Sequence, residues 1–191
     1  MARWEPNARE RLVSAALDLF TEQGYDATTV HEIADRAGLT KTTYFRHFPD
    51  KREVLFAGQE THTRLLAEAV AAASPTATPL EAVRAALDAV TDTFTDDRRA
   101  FAARLLPVIA GNSELRERSA LKRLKLAEAL TDALRERGVA EPAAGLAAEL
   151  GVRAFDRAFG QWADPAGRHH SLTALTRHAF DELRAALAAL D

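Results

Sequence analysis

Thr29-Val30-His31-Glu32-Ile33-Ala34-Asp35-Arg36-Ala37-Gly38-Leu39-Thr40-Lys41-Thr42-Thr43-Tyr44-Phe45-Arg46-His47-Phe48 reads as two short helices around one glycine. The spacing predicts a first helix from about Val30 to Ala37 and a second from about Thr40 to Arg46. Thr29 followed three residues later by Glu32 forms a capping box, which satisfies amides left open at a helix start. Gly38 takes the left-handed conformation that reverses the chain, and Ala37 is small enough for the helices to approach. Ile33, Ala34 and Leu39 supply the apolar contacts between them. This is helix-turn-helix spacing, and it turns one face of the second helix outward. That face carries Lys41, Thr42, Arg46 and His47, with Lys51-Arg52 following, side chains suited to base edges and phosphates.

Outward from this stretch, alanine, leucine, arginine and glutamate dominate and no strand-length β-branched alternation occurs, so the chain is expected to be all-α. Breaks fall at Gly24, Gly38, Pro49, Ser74 to Pro79, Gly111-Asn112, Gly138 and Asp164 to Gly167, which divides it into about nine helices. Asp50 with Glu53, and Thr78 with Glu81 behind Pro79, read as further capped starts. Leu80, Val83, Leu87, Val90 and Phe94 form one buried stripe. Pro107, inside the apolar run Leu105 to Ile109, predicts that the helix starting near Asp97 kinks or stops there. The expected layout is a three-helix head over residues 1–52 and a helical effector-binding and dimerisation domain over 53–191.

Composition narrows the function classes. The formal net charge of −3 excludes binding of nucleic acid by bulk charge. Residues 1–56 hold eight Lys/Arg against nine Asp/Glu, so any DNA contact must be local. The absence of cysteine removes disulfides and thiolate metal sites. Met1 to Pro6 lacks the apolar run of a signal peptide, and no uncharged run reaches membrane-spanning length, so a cytoplasmic location is expected and no membrane partner.

The stretch from Arg11-Leu12-Val13-Ser14-Ala15-Ala16-Leu17-Asp18-Leu19-Phe20 through Gly24-Tyr25, Thr28-Thr29-Val30 and Gly38-Leu39-Thr40 to Phe48-Pro49-Asp50-Lys51 resembles the DNA-binding domain of the TetR family. The resemblance covers roughly the first third of the chain. It implies double-stranded operator DNA as a partner. It implies that Thr28, Thr43, Phe45, His47 and Lys51 hold phosphates and that Lys41, Thr42 and Arg46 face bases. The candidate DNA-binding set is therefore Thr28, Thr29, Thr40, Lys41, Thr42, Thr43, Tyr44, Phe45, Arg46, His47 and Lys51. The sequence departs from the family in having Phe45 where Tyr is usual and Thr42 where a small residue is usual. Phe45 cannot donate to a phosphate; Tyr44, one position earlier, either substitutes for it or packs inside. Phe20, Ile33, Ala34, Leu39 and Phe48 read as core.

For the remaining two-thirds the resemblance implies a ligand cavity and a homodimer built from the last two helices. Leu146, Leu150, Phe155, Phe159 and Trp162, with small residues between, and then Leu172, Leu175, Ala179, Leu183 and Leu187, form stripes that suit an isologous interface. Phe94, Phe101, Leu105, Ile109, Leu124, Phe155, Phe159 and Trp162 are the candidate pocket lining, which suits an apolar or aromatic effector. Pro107 and the Gly111-Asn112 turn are the expected moving part. No cofactor is expected. His169-His170 and His178 read as solvated rather than metal-binding. Two readings stay open beside this one: a C-terminal domain that binds a protein partner, and a helical enzyme, for which no phosphate loop or nucleophile elbow is present.

Overall fold

The computed structural model describes residues 7–167 and 170–190, with Asp97 described by its backbone alone. His169 and the Met1 to Pro6 segment considered above lie outside them. Among the described residues there are nine α-helices: α1 Ala8–Gln23, α2 Val30–Arg36, α3 Lys41–His47, α4 Gln59–Ala72, α5 Pro79–Thr91, α6 Asp96–Gly111, α7 Ser113–Glu136, α8 Ala143–Ala163 and α9 Leu172–Ala188. A 3-10 turn spans Arg52–Phe56. The protein is all-helical. The chain divides into two compact units, one made of the residues up to Ala57 with Arg104–Ser119, the other of Gly58–Ala103 with the residues from Ala120 onward.

In the first unit α1 buries Leu12, Ala15, Ala16, Leu19 and Phe20, the one-sided spacing of a helix laid on a core. Ile33 and Ala34 of α2, Tyr44 of α3, Phe48 and Val54 complete that core, all of them essentially inaccessible to solvent. Thr29 and Glu32 form the expected capping box, with Thr29 Oγ1 accepting from the Glu32 amide at 3.2 Å and Glu32 Oε2 accepting from the Thr29 amide at 2.8 Å.

The box expected at Asp50 and Glu53 is only half made. Asp50 Oδ1 accepts from the amides of Arg52 and Glu53 at 3.0 and 3.1 Å, capping the 3-10 turn. Glu53 does not reach back, because its carboxylate is gripped by both Nε and Nη2 of Arg118. A charge-assisted pair with a fixed guanidinium outcompetes a bond to one amide.

In the second unit α5 packs against α4, α8 and α9, and α8 against α9. Thr78, Pro79 and Glu81 start α5 as expected, with the full capping box. Val83, Leu87 and Val90 are buried, but α5 ends at Thr91, so Phe94 belongs to the following connection rather than to the helical stripe. The small residues of α8 let its neighbours come close: a Cβ added to Gly151 would fall 2.4 Å from Val83 Cγ1. Arg137 closes the end of α4 by donating to the carbonyls of Val70, Ala73 and Ser74 at 3.1, 2.9 and 2.6 Å. On the stripes of α8 and α9, Trp162, Leu172 and Ala179 are buried, whereas Leu146 is 62% and Leu187 50% exposed.

Of the kink or stop expected at Pro107, the stop does not occur, since α6 runs through it to Gly111. Pro107 is exposed, so its ring and missing amide fall on a side of the helix that water reaches. No helix among the described residues is long and apolar enough to cross a membrane.

Candidate nucleic-acid interface and effector cavity

The turn between α2 and α3 is closed by backbone bonds from Gly38 N to Asp35 O at 2.9 Å and from Leu39 N to Ala34 O at 2.8 Å. Gly38 has φ +65°, the left-handed value the turn needs. Arg11 of α1 donates to the Ala37 carbonyl, and its Nη2 would lie 2.7 Å from any Cβ on Gly38. The conformation favours glycine here, and any Cβ would also push the guanidinium aside from the Ala37 carbonyl. Thr40 then caps α3, accepting from the Thr43 amide at 3.1 Å.

α3 sorts its side chains by face. Lys41, Thr42, Phe45 and Arg46 are exposed, Thr43 and His47 half-buried, and Tyr44 fully buried. The Tyr44 hydroxyl donates to the Asp50 carbonyl at 3.1 Å, and its ring stands 5.6 Å from that of Phe48. Burial, reinforced by Asp50, pushes its pKa far up, so it stays a neutral core residue. The aromatic left on the surface is Phe45, 47% exposed, with Lys41 Nζ 5.9 Å from its ring centre. The His47 Nε2 is buried without a hydrogen-bond partner. Burial, with Arg46 and Arg9 nearby, holds its pKa below the ordinary 6.5.

Four other candidates are engaged inside the unit. Thr28 is buried, its hydroxyl donating to the Gly24 carbonyl at 2.8 Å. Thr29 and Thr40 are helix caps. Lys51 Nζ donates to the carbonyls of Tyr25 and Thr28 at 2.8 and 2.9 Å and sits 4.1 Å from the centre of the Tyr25 ring. Two of its three N–H donors thus pin the turn between α1 and α2, with a cation–π contact added.

Residues 104–119 join this unit, which no local pattern in the sequence signals. Arg104 Nη2 donates to Asp18 Oδ1 at 2.6 Å, Asn112 Nδ2 to Asp26 Oδ1 at 3.2 Å, and the Tyr25 hydroxyl to Glu114 Oε2 at 3.0 Å. Arg118 pairs with Glu53 and lies 4.8 Å from the Phe56 ring centre. Partners 65 to 89 positions apart leave no local spacing to read.

Of the pocket candidates, Phe94, Phe155, Phe159 and Trp162 come together, with Phe94 as hub at 6.0, 5.9 and 5.9 Å from the other three rings. Phe101 is half-buried in the same unit. Leu105 and Ile109 belong to the other unit, and Leu124 is 51% exposed.

A cavity of this unit lies beside the aromatic cluster and shares only Phe155 with the expected lining. Its walls are His62 and Leu66 of α4, Leu87 and Val90 of α5, Lys122, Leu126 and Leu130 of α7, and Val152 of α8. At about 20 Å³ it has room for about one water. The missed residues do carry a signal, since Lys122, Leu126 and Leu130, and likewise His62 and Leu66, are four apart on one helical face. Burial, then the charges of Lys122 and Arg98, lowers the His62 pKa to about 4. Among the described residues no group of three His, Asp or Glu is placed to hold a metal ion.

Residues 12–57 match the bacterial regulatory proteins of the tetR family. The transcriptional activator FasR of Mycolicibacterium smegmatis is 34% identical over 128 residues, 66% of this chain and 56% of FasR. The regulator TcmR of Streptomyces glaucescens is 48% identical over 46 residues, 24% of this chain and 20% of TcmR. The chain thus spans little more than half the length of the first relative and a fifth of the second. Among solved structures, the fatty acid degradation regulator FadR of Bacillus halodurans has the same fold, with a TM-score of 0.58 at 20% identity over 95% of this chain and 96% of that one. Residues 12–57 are thus a DNA-binding domain of the tetR family, and over nearly its whole length the chain shares the helical fold of the FadR structure.

Proposed function

We propose that this protein is a ligand-responsive repressor that binds a palindromic operator as a homodimer and leaves it when a small apolar molecule fills the C-terminal domain. The observation that carries this reading is the sorting of α3. Tyr44 and Phe48 anchor the helix while Lys41, Thr42, Phe45 and Arg46 stand exposed together on it. Arg46 and Lys41 suit base edges, and Thr43 and His47 suit the flanking phosphates.

Two such helices must lie about one DNA turn, roughly 34–36 Å, apart to read a palindrome, which calls for a dimer. Leu146 on α8 and Leu187 on α9 supply apolar surface for it. The division of labour places DNA reading in residues 1–52 and effector binding and pairing in 53–191. Release is a population shift, in which the ligand binds better to the conformer whose reading helices are wrongly spaced. Residues Pro107 to Asn112 are the part assigned to that shift. A location in the cytoplasm follows from the role.

Mobility shift of the purified protein on its own upstream intergenic DNA, at two salt concentrations and against scrambled competitor, is the test. Specific, salt-sensitive binding to a palindrome, with base preference altered by Arg46→Ala, is expected. Equal effects of Arg46→Ala on cognate and scrambled DNA, or no site recovered from a random library, would refute the reading. A reporter fused to the bound promoter, read in the presence and absence of the protein, separates repression from activation.

A further inference from the structure

We infer that Arg9, at the start of α1, holds a phosphate of the DNA backbone beside the C-terminal end of the reading helix α3. This rests on the operator reading above and adds a contact from outside the helix-turn-helix. Residues 1–56 hold no excess of Lys and Arg over Asp and Glu, so where the unit attracts DNA depends on which cations lack a partner of their own.

Most of them are satisfied internally. Arg36 pairs with Glu22 at 2.8 Å, Arg52 with Asp50 at 3.1 Å and Arg104 with Asp18 at 2.6 Å, and Arg118 grips Glu53. Arg11, Lys51 and Arg116 donate to backbone carbonyls. Among the described residues of the first unit, only Arg9, Lys41 and Arg46 have neither a carboxylate nor a carbonyl partner.

Two of these three stand exposed on α3. Arg9 stands beside that helix, itself exposed, with its Cζ 5.5 Å from the ring centre of Phe48, the residue that ends α3. Phe48 in turn lies 6.4 Å from the His47 ring. After burial, the charges of Arg46 and Arg9 are what depress the His47 pKa, so both guanidinium groups act on one imidazole. Cations gathered in this way repel one another until an anion joins them, and a phosphate oxygen supplies the missing acceptor. A guanidinium lying over a ring keeps N–H groups at its edge for such an acceptor. A base edge is the poorer partner, because Arg9 belongs to α1 whereas α3 is the helix that enters the groove.

The test is the salt dependence of DNA binding by the full chain, measured by fluorescence anisotropy on the palindrome recovered from a random library and on a scrambled duplex. Arg9→Gln leaves the core intact, since Arg9 is exposed. It should weaken binding to both duplexes about tenfold per protomer at about 0.1 M salt, and lower the slope of log K against log salt by about one per protomer. Arg9→Lys keeps the charge and should keep the slope. An unchanged slope in Arg9→Gln confines Arg9 to packing on Phe48 and overturns the inference. A loss confined to the palindrome marks a base contact and overturns it as well. If the library yields no palindrome, the operator reading fails while the slope on the scrambled duplex still decides whether Arg9 holds a phosphate. Absence of binding to either duplex overturns both.

Discussion

Replacing His62 by leucine should remove most of the mild-acid sensitivity of this protein's stability. Burial first, then Lys122 and Arg98, lowers the His62 pKa from 6.5 to about 4 in the folded state. The folded chain thus binds this proton less readily than the unfolded one. Stability from the neutral imidazole is complete above pH 6.5 and is lost as pH falls toward 4. The full shift corresponds to about 3 kcal/mol at 1.36 kcal/mol per unit, and roughly 2 kcal/mol of it is gone by pH 5. Glu22, Glu32 and Glu81 have pKa values lowered below 4.5 by Arg36, Thr29 and Thr78, so their stabilisation is lost at still lower pH. Burial raises the Asp156 carboxyl above its ordinary 3.8, so urea unfolding followed by far-ultraviolet circular dichroism between about pH 8 and pH 5 is compared between the wild type and His62→Leu, which share that contribution. The wild type should lose roughly 2 kcal/mol more over that range than His62→Leu. Identical pH slopes for the two proteins would show that His62 is solvated and that the electrostatic picture of the cavity is wrong.

Three substitutions test the packing around the site. Gly38→Ala meets both the left-handed φ of +65° and the Arg11 guanidinium, and should cost about 1–2 kcal/mol in thermal unfolding while disturbing the aim of α3 and so operator binding. Gly151→Ala, whose Cβ would fall 2.4 Å from Val83 Cγ1, should destabilise by about 1–3 kcal/mol, and Val83→Ala should recover part of that loss in a double-mutant cycle. Lys51→Met keeps the stem but loses the bonds to the Tyr25 and Thr28 carbonyls, so binding should weaken on every DNA sequence with little change in its salt dependence. A slope lowered by about one would instead reveal a phosphate contact by the third N–H.

Much of the fold was legible because its signals are local. Thr29 with Glu32 and Thr78 with Glu81 are four-residue devices, and Gly38 reports a single dihedral angle; each stands where its spacing placed it. What escaped was set by distant partners. Glu53 looks like the far half of a capping box until Arg118 is known to hold it, and Arg118 lies 65 residues away. Residues 104–119 join the first unit through single polar pairs that leave no periodicity in either segment. The stop at Pro107 failed to appear for a related reason. Its penalty depends on whether the orphaned carbonyl can find water, which is a property of the surface rather than of the residue.

The cavity shows the same division at the level of function. Aromatic residues are the natural candidates for a pocket when only size and apolarity are visible, and Phe94, Phe155, Phe159 and Trp162 do assemble. But rings whose centres lie about 6 Å apart fill their own space, so of the four only Phe155 lines the void. The void remains where aliphatic rows from α4, α5, α7 and α8 face one another without interlocking rings. Those rows carry the more informative anomaly, a histidine and a lysine in register with leucines. A polar residue in such a row escapes a search by size and apolarity, which is why His62 and Lys122 were not among the expected lining.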